Sequence, residues 1–194
     1  MKPTCKDFKA EKGKGFVGLP PAGAYVAEIK DVHVVTNDFN GREVIEMMVE
    51  ITEGEFAGRF TEVWQDQRER FGDAKFKGVF RLMPYTEDDE DWVKRKFSSN
   101  IWCIQESNPP YKWDWDEKKL KGKKIGINLR NRLYTYNGQD RSTVEIGQFE
   151  TVEDVKAGKC KPMRDRDQRK HDEEASTDGA EFTDVSKNVD VPWA

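Results

Sequence analysis

The chain has 194 residues, 36% of them hydrophobic and 36% charged, with a formal net charge of −4 at pH 7. That length suits one domain with appendages, and the lean apolar fraction excludes a large continuous core. Its three cysteines (Cys5, Cys103, Cys160) and two histidines (His33, His171) are scattered, which argues against a disulfide framework or a zinc module and fits a reducing, cytoplasmic setting.

Residues 1–22 are rich in Lys, Gly and Pro and read as a basic flexible arm. A strand is expected over "GAYVAEIKDVHVVT", then a turn at Asn40-Gly41. A second strand follows, in which Ile45, Met47, Val49 and Ile51 alternate with Glu46 and Glu50. "RFTEVWQD", residues 59–66, reads as a third strand and completes a meander over 23–66. Helices are expected over "DQRERFGDAKFKGVFRLM" and "YTEDDEDWVKRKFSSNIWCI", the second capped by Thr86 with acids in its first turn. "ESNPPYKWDWDEKKLKGK" is a long loop. Its aromatics Tyr111, Trp113 and Trp115 either cover the end of the domain or face a ligand, and at least one is expected to pack down. Asn137-Gly138 then joins two β-rich runs in a hairpin, and "TVEDVKAGK" is a capped helical turn ended by Gly158. From residue 161 no periodicity survives, and disorder is expected to residue 194.

Three strands, a helical insertion and two more strands make the expected fold mainly β. The sequence predicts a five-stranded OB-fold, a Greek-key barrel, over residues 23–160, with the insertion between strands 3 and 4. Charge is distributed unevenly over this layout. Residues 171–194 hold seven acids against Lys187, a local charge of −6, which leaves +2 for residues 1–170. A basic body with an acidic tail points toward nucleic acid, although such tails also serve solubility alone. No apolar run has the length of a membrane span and no signal-peptide core is visible, so no membrane partner is expected.

The fourth strand carries the sharpest signal. Alternation over 124–136 puts Ile125, Ile127, Leu129, Leu133 and Thr135 on one face with Asn131. The other face carries Lys124, Arg130, Arg132, Tyr134 and Tyr136 beside Gly126 and Asn128, with no acid. Such a row is either a solvated face of good strand formers or a groove where guanidinium groups meet phosphates and tyrosine rings stack on bases. Trp64, with Arg59 and Arg68 near the ends of the third strand, either extends that groove or belongs to the core. No cofactor and no catalytic centre is expected. The weak exception is Glu28-Ile29-Lys30, half of a metal-dependent nuclease motif, and a non-catalytic protein-interaction module is the other alternative.

"PPAGAYVAEIKDV", "MMVEITEGEFAGR", "LKGKKIGINLRNRLYTYNGQ" and "TVEDVKAGK" together resemble a widespread family of small phage-encoded single-stranded DNA-binding proteins. The resemblance covers roughly residues 20–160. It implies an OB-fold, single-stranded DNA as ligand, and a role in phage replication or recombination in the cytoplasm of a bacterial host. A homo-oligomer is compatible with it. The closing "DVPWA" is similar to the acidic tails of bacterial single-stranded DNA-binding proteins, which end in acids followed by Pro and an aromatic. It differs in carrying Trp for the usual Phe and a further Ala194. The resemblance implies that Asp190, Pro192 and Trp193 recruit replication or recombination proteins.

Overall fold

The computed structural model of the chain describes residue 15, residues 17–37 and residues 41–169. It is mainly β, with strands β1 (Gly23–Thr36), β2 (Glu43–Ile51), β3 (Val79–Leu82), β4 (Lys124–Tyr136), β5 (Gln139–Glu150) and β6 (Arg166–Asp167). Helices α1 (Arg59–Phe71), α2 (Asp91–Ser107) and α3 (Val152–Lys156) interrupt them. The five longer strands form one antiparallel sheet in the order β3-β2-β1-β4-β5, and β6 adds to β4 in parallel.

The two longest strands are shared between neighbours. β1 pairs with β4 over Gly23–Glu28 and with β2 over Ala27–Thr36, and its register shifts between Ile29 and Asp31. Such a bulge bends a strand and strengthens its twist, so the sheet coils. The β4–β5 hairpin turns on Asn137 and Gly138, both at positive φ (51° and 72°), as a two-residue primed turn requires.

The third strand lies elsewhere than the sequence indicates. Residues 59–66 are helical, and the strand that pairs with β2 is Val79–Leu82, inside a segment expected to be a helix. Phe60, Val63 and Trp64 of α1 are buried, at the helical spacing that lets one face pack on the sheet. Gly58 offers α1 no side-chain cap, so β2 supplies one. The Glu50 carboxylate accepts from the Phe60 and Thr61 N–H groups (3.1 and 2.7 Å) and from the Thr61 hydroxyl (2.5 Å). The helix expected between strands 3 and 4 is present as α2. It starts at Asp91 with Glu90 at its cap, six residues into the run expected to be helical. Thr86 forms a turn with Asp89 instead of capping the helix.

The sheet is not closed. Its edge strands β3 and β5 touch through Phe80 and Phe149, whose ring centroids lie 4.3 Å apart, but no backbone pairing joins them. The reason is local to α2. Asn100, buried on that helix, accepts from the Phe149 N–H (3.0 Å), and Cys103 donates its thiol to the Phe149 carbonyl (3.5 Å). Side chains of α2 thus consume the two backbone groups that would otherwise extend the ladder. Burial pushes the Cys103 thiol up to about 12, so it stays protonated and unreactive at neutral pH.

The chain is also ordered further than its composition suggests. Residues 161–169, expected to open the disordered tail, run along β4. The Lys161 carbonyl accepts from Asn128 (3.0 Å), the Asp165 carboxylate from Asn131 (2.9 Å), and the Gln168 N–H donates to the Leu133 carbonyl (2.9 Å). The end of the Met163 side chain rests over Gly147, where a β-carbon would displace it. The tail beyond residue 169, with Asp190, Pro192 and Trp193, lies outside the described residues, as do residues 1–14 and 16 of the arm. The end of the arm packs against α1: Arg59 and Arg70 donate to the Gly18 and Gly15 carbonyls.

Candidate nucleic-acid interface

Beside the Phe80–Phe149 contact the gap between the sheet edges opens into a cleft of about 350 Å³. Seven cationic side chains line it: Lys75 and Lys77 ahead of β3, Arg81 on β3, Lys96 on α2, Arg130 and Arg132 on β4, and Arg166 on β6. Among the described residues the single acid in the lining is Glu145. Phe76, Val79, Phe80, Val144 and Ile146 supply apolar wall. So strong an excess of one charge in a protein of net charge −4 makes an anion-focusing surface, since low-dielectric walls concentrate the field of the cations between them.

Acids hold several of these cations, while Lys96 and Arg132 are left without an ion partner among the described residues. Arg81 faces Glu46 across the β2–β3 ladder and donates Nε and Nη2 to its carboxylate, both at 2.6 Å. Glu46 is 2% exposed. The polar face expected on β2 is therefore buried, with Glu46 satisfied by Arg81 and Glu50 by the first residues of α1. Arg130 pairs with Glu145 at 2.7 Å, and Arg166 reaches the same carboxylate at 3.6 Å. Arg130, Arg132 and Arg166 thus face a stretch of cleft wall in which Glu145 is the one carboxylate among the described residues. The Arg132 Nε is buried without a hydrogen-bond partner, while its guanidinium carbon lies 5.6 Å from the Tyr134 ring centroid. An unsatisfied cationic donor at the wall of a basic cleft is suited to an anionic oxygen.

Of the residues singled out in the sequence, Arg130 and Arg132 meet in this cleft. Tyr134 and Tyr136 continue along β4 beyond it, toward the hairpin tip, where Tyr136 is 56% exposed and stacks under Arg141 (5.2 Å). Lys124 sits at the opposite end of β4, where its backbone is held by Asn108. Trp64 is a core residue of α1, 7% exposed, with the Arg68 guanidinium over its ring at 5.1 Å. Arg59 starts the same helix, stacks on Phe56 and pairs with Glu62, so neither residue extends the β4 surface. In the long loop Tyr111 and Trp113 pack on the core, and Trp115 is 59% exposed but stacked on Phe97 at 5.6 Å. Glu28 and Lys30 pair with each other at 2.8 Å, and no group of three metal-ligating side chains occurs among the described residues.

Lys75, Lys77, Arg81, Lys96 and Arg166 join the cleft from outside β4. Three of them carry a local signal in "KFKGVFR": as extended chain, Lys75, Lys77, Val79 and Arg81 share one face. Reading that segment as helix hid the pattern.

A side-chain clamp ties the start of β2 to the segment ahead of α2. Arg42, at the start of the second strand of the β1–β2 pair, donates both terminal nitrogens to the Asp89 carboxylate at 2.7 Å, and Nη2 also reaches the Pro84 carbonyl. These bonds, with those from Thr86, hold the Asp89 carboxyl well below the usual carboxylate range. A depressed folded-state value contributes stability above the ordinary value of 3.8 and loses it as pH falls through the folded value. Asp89→Asn is therefore expected to melt earlier than the parent at pH 7. The gap between the two melting curves should shrink steadily as pH is lowered below about 4, which a series of thermal melts would check.

Comparison with family models and with curated protein sequences finds no match. The site itself must carry the functional reading. No helix among the described residues is long and apolar enough to cross a membrane.

Proposed function

We propose that the protein binds single-stranded DNA in the cleft between β3 and β5, as a non-enzymatic binding protein of phage replication or recombination. The observation that carries this reading is the convergence of seven cations from five segments on one cleft with a single acid. Phosphates supply the matching charge, and an apolar-walled cleft of this size admits one strand where a duplex would not enter. The order β3-β2-β1-β4-β5, with aromatic contact between its edges, supports a partly open OB-type barrel. The resemblance of its strand and turn motifs to phage single-stranded DNA-binding proteins favours the same ligand.

Titration of the full chain with a labelled dT oligonucleotide and with a duplex of equal length tests the reading. Affinity for the single strand should exceed that for the duplex. Its logarithm should fall linearly with log salt, by about 0.7 for each phosphate neutralised. Equal affinity for both, or none for either, would overturn it.

The acidic tail enters through charge. Residue 169 lies on the β4 side of the cleft, and the following residues 171–194 carry −6. A tethered anion competes at an effective concentration on the order of millimolar. Deleting 171–194 should tighten DNA binding several-fold at low salt and by less at high salt, where screening weakens the competitor. Asp190, Pro192 and Trp193 would then be offered to a replication or recombination protein whenever DNA displaces the tail. Unchanged affinity on deletion would remove the tail from this role.

A further inference from the structure

A second pocket, of about 440 Å³, adjoins the cleft. Arg81, Lys96 and Arg166 line both. Beyond them the second pocket turns apolar, with Val44, Leu82, Met83 and Val93 in its walls beside the buried Phe97. Trp92 also lines it, and Trp92 is 56% exposed. Its indole N–H is already donated to Glu90 (2.5 Å), so the ring is held in place with its polar atom satisfied and much of its surface in solvent. Trp92 thus offers a large aromatic surface beside an apolar hollow whose other side is flanked by cations.

We infer that this pocket receives a nucleobase of the bound strand, with Trp92 as its stacking platform; this rests on the single-stranded DNA reading above. The three shared cations decide the class of occupant. A phosphodiester bound at Lys96, with Arg81 and Arg166 adding positive charge beside their own glutamate partners, leaves the attached base at the mouth of the apolar pocket. Glu90 beside Trp92 repels a phosphate there and so favours the uncharged end of the nucleotide. Stacking on a ring face is sequence-tolerant, since every base has a π-face. The pocket therefore adds affinity for bases as such, independent of the electrostatic grip.

The test compares full-length protein binding to a dT oligomer and to an oligomer of the same length made of abasic sites, each over a range of salt. The parent should bind dT roughly tenfold more tightly than the abasic strand. Trp92→Ala should lose most of that preference while keeping the parent's salt slope, and Trp92→Phe should restore part of it. Circular dichroism melts of both variants establish that they fold, and an exposed side chain predicts little change. If Trp92→Ala keeps the full preference for dT, the base pocket is overturned and DNA binding stands. If the parent binds neither oligomer, the DNA reading falls and the pocket with it.

Discussion

Lys96→Glu combined with Arg132→Glu is expected to weaken single-stranded DNA binding by at least about 100-fold at physiological salt. These two cations are the informative pair because neither has an acid partner among the described residues, so reversing them orphans no carboxylate. Arg81 and Arg130 differ, since each holds a glutamate, Glu46 and Glu145 respectively. Removing either would confound a binding defect with the cost of a carboxylate left without its partner. The double reversal removes two phosphate contacts and sets two like charges against the strand. Thermal stability should move little, because Lys96 is exposed and Arg132 half-buried. Fluorescence anisotropy against a dT oligomer reads the loss, and a smaller magnesium- or sodium-dependent slope should accompany it.

The second large effect concerns the scaffold. Glu50→Ala is expected to destabilise the protein by about 3 kcal/mol, lowering Tm by roughly 6–12 °C. The carboxylate is 4% exposed and takes three bonds from the first residues of α1 besides one from the Ile51 N–H. Its loss leaves buried helix N–H groups unpaired and opens a space between β2 and α1. Glu50→Gln retains the size and one acceptor oxygen, so its cost should be smaller. A differential scanning calorimetry series of the parent, Glu50→Gln and Glu50→Ala checks the order. Equal Tm values would mean that α1 docks through Phe60, Val63 and Trp64 alone.

Particular residues show why part of this molecule was legible in its sequence. The β4–β5 hairpin was, because Asn137-Gly138 and a period-2 pattern are local signals that agree with each other. β1, β2, α2 and α3 were also marked locally. The third strand was not. Phe60, Val63 and Trp64 have the spacing of a helix, yet their β-prone residue types favoured a strand. The true strand has only four residues, too few to show a period. Glu46 and Glu50 looked solvated because their partners, Arg81 and the start of α1, arrive from 35 and 10 residues away. The same long range hid most of the cleft. Arg130 and Arg132 could be found from one strand face, whereas Lys96 and Arg166 meet them only after α2 and β6 have folded against the sheet. Open edges followed from a detail invisible in any pattern, the capture of the Phe149 backbone by Asn100 and Cys103.

The location of the strand is the central claim, and amide chemical-shift mapping tests it most directly. Full-length ¹⁵N-labelled protein would be titrated with a short dT oligomer at low salt. The expected result is a contiguous set of shifted amides over residues 75–82, 130–132, 143–147 and 166, the two sides of the β3–β5 cleft. Shifts confined to the opposite end of β4 near Lys124, or to α1 near Arg59, with the cleft unmoved, would contradict it.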